Sequence, residues 1–165
     1  MEEFQDFIAK AERNIAIAEH LLKVSYPALQ DPKVLLSVCE NLFLGFSNAF
    51  SAAVYYERRF KRIPPFVETF SGRLDTFAKR IVPRYKLKKE YLALIEELRD
   101  LVLKHEQSPV EFRRKQTMVI CDDDYGHETL TAERLMRYLK EAQQFYHQIA
   151  EITGKHANIF KRQAL

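Results

Sequence analysis

This 165-residue sequence predicts an all-α fold, an up-and-down helical bundle of four long helices plus a shorter one. Three observations carry the prediction. The chain holds only four Gly and six Pro, too few for many short strands joined by tight turns. Apolar residues recur at three- and four-residue spacing over long stretches, the mark of amphipathic helices. The stretches are separated by sharp, mostly proline-bearing breaks. One domain over residues 1–165 is expected, and a chain of that size buries a sizeable core without staples. Its 47% hydrophobic and 30% charged composition excludes a disordered chain.

The first helix is expected from Glu2 to about Val24. Phe4, Phe7, Ile8, Ala11, Ile15, Ala18, Leu21 and Leu22 form its stripe. Glu2, Glu3 and Asp6 suit the positive end of its dipole, and "SYPALQDP" breaks it. Asp31-Pro32 then starts a helix, with a capping side chain followed by a proline whose missing N–H costs nothing there. That helix runs to about Phe60 and is apolar nearly all round, so it should be central and most buried. Its small residues, Ser37, Gly45, Ser47, Ala49, Ser51, Ala52 and Ala53, should let a neighbour approach closely.

A shorter helix is expected from Phe66 to about Val82, weakened by Gly72 and closed by Pro83. The next runs from Lys88 to about His105, with Tyr91, Leu94, Ile95, Leu98, Leu101 and Val102 as its stripe. An irregular excursion follows near 106–130. In it Gln116 to Cys121 looks strand-like, and "DDDYGHE" reads as an acidic loop. Thr131 caps a long final helix that reaches Gly154 or a little past it.

Several functional classes find no support. There is no phosphate-binding Gly-rich loop, no Gly-x-Ser-x-Gly and no zinc spacing, so no cofactor or metal is expected. The two cysteines, Cys39 and Cys121, read as buried thiols of a reducing compartment. The N-terminus has acids where a secretory signal has bases, and the apolar runs fall short of a membrane span. A cytoplasmic protein with no membrane association is therefore expected. The acidic loop Asp122–Asp124 with His127 lacks the ligand order of a calcium site. The tyrosines at 55, 56, 138 and 146 fit a core rim better than a base-stacking platform.

Net charge is +3, but its distribution is uneven. Residues 1–57 carry 4 Lys/Arg against 8 Asp/Glu, whereas residues 58–89 carry 11 against 2. This basic block offers Arg58, Arg59, Lys61, Arg62, Arg80, Arg84, Lys88 and Lys89 to a phosphate backbone. Its alternative use is to pair with the acidic N-terminal helix.

One stretch carries candidate chemistry. In "EELRDLVLKHEQSPVEF", Arg99, Asp100 and His105 stand close together. They suit metal-free RNA cleavage. His moves a proton near neutral pH, and Arg meets the charge that develops on phosphoryl oxygens. The alternative is an ordinary helix end, with Arg99 on Glu96, Asp100 on Lys104 and His105 favoured by the helix C-terminus. Six positions on a straight helix leave two residues about 120° apart around its axis. Arg99 and His105 therefore converge only if the helix ends or bends near Lys104, or if a second subunit completes the site.

"RDLVLKH" resembles the Arg-polar-x(n)-His motif of the HEPN domains. "AERNIAIAEHLL", the Asp-Pro step into a long apolar helix, and "RLMRYLKEAQQFYHQIAEI" resemble the family's helix order over about residues 8–153. The resemblance implies an antiparallel bundle that forms a homodimer, with the motif in the cleft between subunits. Active members are metal-independent endoribonucleases, often toxins or defence effectors, which brings an antitoxin into view as a partner. By position, Arg99 would bind phosphate, Asp100 would be the polar neighbour and His105 the acid-base group. Other members are non-catalytic partners of minimal nucleotidyltransferases. Two functions are thus expected as alternatives. One is an RNA-cleaving or RNA-binding enzyme. The other is a binding module for a partner protein or a nucleotide.

Overall fold

A computed structural model describes residues 2–107, 110–114, 117–121 and 127–163, with side chains at 2–105 and 130–154. Five helical rods form the bundle. The first is α1 (Glu3–His20), which continues through a π turn at Leu21–Ser25 into α2 (Tyr26–Leu29). The second is α3 (Lys33–Arg59). The third is α4 (Phe70–Thr76), a π turn at Phe77–Ile81 and α5 (Val82–Tyr85). The fourth and fifth are α6 (Glu90–Gln107) and α7 (Ala132–Gln163). Between α6 and α7 the excursion holds a small antiparallel sheet, β1 (Val110–Arg114), β2 (Thr117–Cys121) and β3 (His127–Leu130), in the order β1-β2-β3. Thr117–Cys121 is the stretch with strand-like sequence. Its partners pair Val110 with Cys121 and Cys121 with His127.

The apolar helix is central, as its sequence predicts. Sixteen residues of α3 are buried, and α1, α4, α6 and α7 all pack against it. Its length and composition are those of a membrane-crossing helix, but 56% of its most apolar window is buried inside the bundle. Burial in a protein core explains that composition without a membrane. Phe46, Phe50, Phe77, Tyr91 and Phe145 meet around it at ring distances of 4.9 to 6.4 Å, suited to tilted and edge contacts.

Small residues admit α1 as expected. A Cβ on Gly45 would lie 2.7 Å from Ile15 Cγ1. Alongside this crossing, Asn48 Nδ2 donates to Asn14 Oδ1 at 2.9 Å, and Asn14 Nδ2 donates to Asn41 Oδ1 at 3.2 Å. A half-buried amide chain of this kind is satisfied in one register of the two helices.

The last helix runs nine residues past Gly154, to Gln163, and three further element boundaries differ from expectation for physical reasons. The first rod runs past Val24 to Leu29, and the third runs past Pro83 to Tyr85. Each proline follows a five-residue π turn, Leu21–Ser25 before Pro27 and Phe77–Ile81 before Pro83. There the Tyr26 N–H reaches the Leu21 carbonyl, and the Val82 N–H reaches the Phe77 carbonyl. The wider turn shifts the hydrogen-bond register just ahead of the ring, so the helix is not broken. Each rod then stops at a left-handed residue, Gln30 (φ 50°) or Lys86 (φ 53°). The third rod begins at Phe70 rather than Phe66. Thr69 caps it, accepting from the Gly72 N–H at 3.0 Å. A Cβ on Gly72 would lie 2.0 Å from the Val67 carbonyl oxygen, so glycine is required there by close approach.

Two helix starts agree with the sequence reading. Asp31 Oδ1 accepts from the Lys33 N–H at 3.0 Å. Thr131 Oγ1 accepts from the Arg134 N–H at 3.1 Å at the start of α7.

Candidate functional site

The motif residues sit on a helix that continues beyond them. α6 is unbroken to Gln107, so no early end brings Arg99 and His105 together within one chain. Arg99 lies across the Phe70 ring of α4, its guanidinium carbon 4.8 Å from the ring centroid. Its Nη1 is 3.9 Å from Glu96 Oε2. It lines an open cavity of about 330 Å³ with Ser71, Leu74, Asp75, Ala78, Leu92 and Glu96. His105 faces another neighbour. Its Nε2 is 3.6 Å from Glu40 Oε1 of α3, and its side chain is only 28% exposed. Asp100 is exposed. The carboxylate beside His105 suits proton transfer, and the stacked guanidinium suits an anion. These two capabilities are held in different places.

A second polar group lies between α6 and α7. Arg134 Nη2 donates to Glu97 Oε1 at 2.5 Å, and its Nε donates to the Tyr138 hydroxyl at 2.8 Å. The Tyr138 hydroxyl in turn donates to Glu97 Oε1 at 2.8 Å. Burial disfavours the Arg134 charge, but these hydrogen bonds outweigh it and hold its pKa above the ordinary arginine value. Burial likewise pushes Tyr138 up. The triangle is closed, so it joins two helices rather than offering a reactive group.

The basic block divides into spent and available cations. Arg58 forms ion pairs with Glu3, at 3.1 Å, and with Glu68, and lies 4.4 Å over the Tyr55 ring. The Arg58 hydrogen bond holds the Glu68 carboxyl below its usual range. Arg59 pairs with Glu2 at 2.8 Å, and Lys88 pairs with Glu141 at 2.9 Å. Pairing with the acidic N-terminal helix is therefore real for Arg58 and Arg59. Lys61, Arg80 and Lys89 are exposed and form no ion pair among the described residues.

Arg62 and Arg84 belong to a group that the sequence reading missed. Glu57 is fully buried near the end of α3. The Tyr85 hydroxyl donates to its Oε1. Arg62 Nη1 stands 3.8 Å from Oε1, and Arg84 Nη1 stands 3.7 Å from Oε2. Oε2 accepts no hydrogen bond. Burial, then the bond to Glu57, pushes the Tyr85 phenol up to about 12. One signal was available in the sequence. Glu57 continues the stripe Phe46, Phe50, Ala53 at helical spacing, so an acid stands where a core residue is due. Its partners come from two other parts of the chain, which spacing alone does not connect.

Burial also pushes the Cys39 thiol up to about 12. Among the described residues no three His, Cys, Asp or Glu side chains are placed to share a metal ion. The acidic loop at 122–126 and the Cys121 side chain lie outside the described residues. Comparison with protein-family models, with curated proteins and with solved structures finds no match to this chain.

Proposed function

We propose that this chain is an HEPN-like helical binding module associated with RNA, using the basic surface of residues 58–89 and not cleaving on its own. The observation that carries the reading is the separation of the motif. Arg99 is engaged with Phe70 and Glu96, and His105 with Glu40, on different sides of a continuous helix. A phosphate bound at Arg99 would meet the carboxylates Glu96 and Asp75 in the same cavity, while the His105 of the same chain faces Glu40 instead. The basic surface keeps Lys61, Arg80 and Lys89 exposed, and such cations release counterions when they meet a polyanion. The test is binding of a mixed single-stranded RNA across a salt series. Affinity should fall linearly with the logarithm of salt, at about 0.7 in slope for each phosphate neutralised. RNA binding that is absent at low salt would replace this reading with a module for a partner protein, such as a nucleotidyltransferase or an antitoxin.

A second reading has its own observation. Arg99 lines the open 330 Å³ cavity, and a homodimer that placed the partner's His105 there would assemble a metal-independent endoribonuclease. Cutting in the presence of a chelator, at protein concentrations where dimers form, distinguishes it from the module.

A further inference from the structure

We infer that Glu57, Arg62, Arg84 and Tyr85 form a seat for a single phosphate group, with the buried carboxylate as its base and the two guanidiniums as its jaws. This rests on the RNA reading only for the source of the phosphate. The geometry has three parts. Glu57 is completely buried, and a buried carboxylate must be compensated. Its compensation is incomplete in hydrogen bonds, since Oε2 accepts none and both guanidiniums stand just beyond hydrogen-bond reach at 3.7 and 3.8 Å. Two cations, Arg62 and Arg84, face this one carboxylate.

The guanidiniums are also placed, not loose. Arg62 lies 5.8 Å from the Tyr56 ring centroid and 5.5 Å from that of Phe60. Arg84 lies 5.8 Å from the Tyr85 ring. Each turns one Nη toward Glu57, and each fork carries five N–H donors. Their side chains remain 30% and 46% exposed, with the Arg62 guanidinium also hydrogen-bonded to Tyr56. A tetrahedral dianion or a phosphodiester fits two such forks through charge-assisted, bidentate hydrogen bonds. Contrast Arg58 in the same block, whose charge meets two carboxylates.

The experiment uses the full chain, a labelled single-stranded RNA and inorganic pyrophosphate, with Arg84→Ala, Arg84→Lys and, as a charge control on α7, Arg137→Ala. Arg84→Ala should lose about tenfold or more in RNA affinity and flatten the salt slope by about 0.7. Arg84→Lys should keep the slope, because the charge stays, and lose affinity, because the fork is gone. It also decides the matter if the alanine variant fails to fold. Pyrophosphate should bind the wild type and not Arg84→Ala. The inference is overturned, and the RNA reading kept, if wild type binds RNA and Arg84→Ala behaves like Arg137→Ala. Arg84-dependent pyrophosphate binding with no RNA binding keeps the seat and removes RNA as its source. If the wild type binds neither, both fall.

Discussion

The two ends of α3 handle charge in opposite ways. Glu40 and Glu57 lie 17 residues apart on it, about 25 Å at 1.5 Å per residue. Near Glu40, α6 and α7 bring in Glu97, Arg134 and Tyr138, and every bond of that triangle is 2.5 to 2.8 Å. Near Glu57, two arginines stand back at 3.7 and 3.8 Å and face solvent. The first arrangement uses its polar groups on each other. The second keeps Arg84 half exposed and is the inferred phosphate seat. Fully satisfied networks rigidify the helices they join, whereas an exposed guanidinium fork can still take a bidentate anion.

This contrast is broken most directly at Arg134. Arg134→Ala leaves Glu97 and Tyr138 without their shared donor, and its side chain is only 18% exposed. Glu97 is 44% exposed and can be rehydrated, so a loss of about 2 kcal/mol in urea denaturation is expected, from the hydrogen bonds to the guanidinium. Arg84→Ala, at 46% exposure, should cost about 1 kcal/mol, because Arg62 and Tyr85 still face the buried Glu57 carboxylate. Equal costs would erase the distinction between the two ends. Gly72→Ala should cost about 2 kcal/mol, because its Cβ meets the Val67 carbonyl and displaces the start of α4.

Tyr85 sharpens the comparison through pH. Its folded pKa is raised from 10.0 to about 12, so the native state holds its proton longer than the unfolded state. The associated stability is full below about pH 10 and is lost as pH rises through 12. Tyr85→Phe should reduce the alkaline fall in thermal midpoint and cost about 1 kcal/mol at pH 7. The smallest effect concerns Cys39. With its pKa raised from 9.0 to about 12 by burial, it should not react with a thiol reagent at pH 8 in a Cys121→Ser background. Reaction should appear only on unfolding.

Apolar spacing made the bundle legible, since the five stripes, the central place of α3 and the Thr131 cap all follow from local pattern. The overlong first and third rods were hidden, because a π turn cancels the usual reading of Pro27 and Pro83. Strand β3, "HETL", lacks the alternation that marks a half-buried strand, and β1, "VEFRR", carries it over four residues only, so pairing with β2 supplies what their composition does not. The motif was visible as letters, yet its two ends face different helices because α6 does not stop. The seat at Glu57 was hidden for the opposite reason. Its members lie up to 28 residues apart, and only the packing of α5 against the end of α3 assembles them.

The central claim is that Arg99 and His105 do not form a working pair within this chain. Its most direct measurement is incubation of a mixed RNA with the wild type, Arg99→Ala and His105→Ala in EDTA, followed by sizing of the RNA. Bound but intact RNA is expected with all three proteins. Cleavage by the wild type that is lost in both folded variants and persists on dilution to the monomer would contradict it, whereas cleavage that disappears on dilution would point to the dimer site.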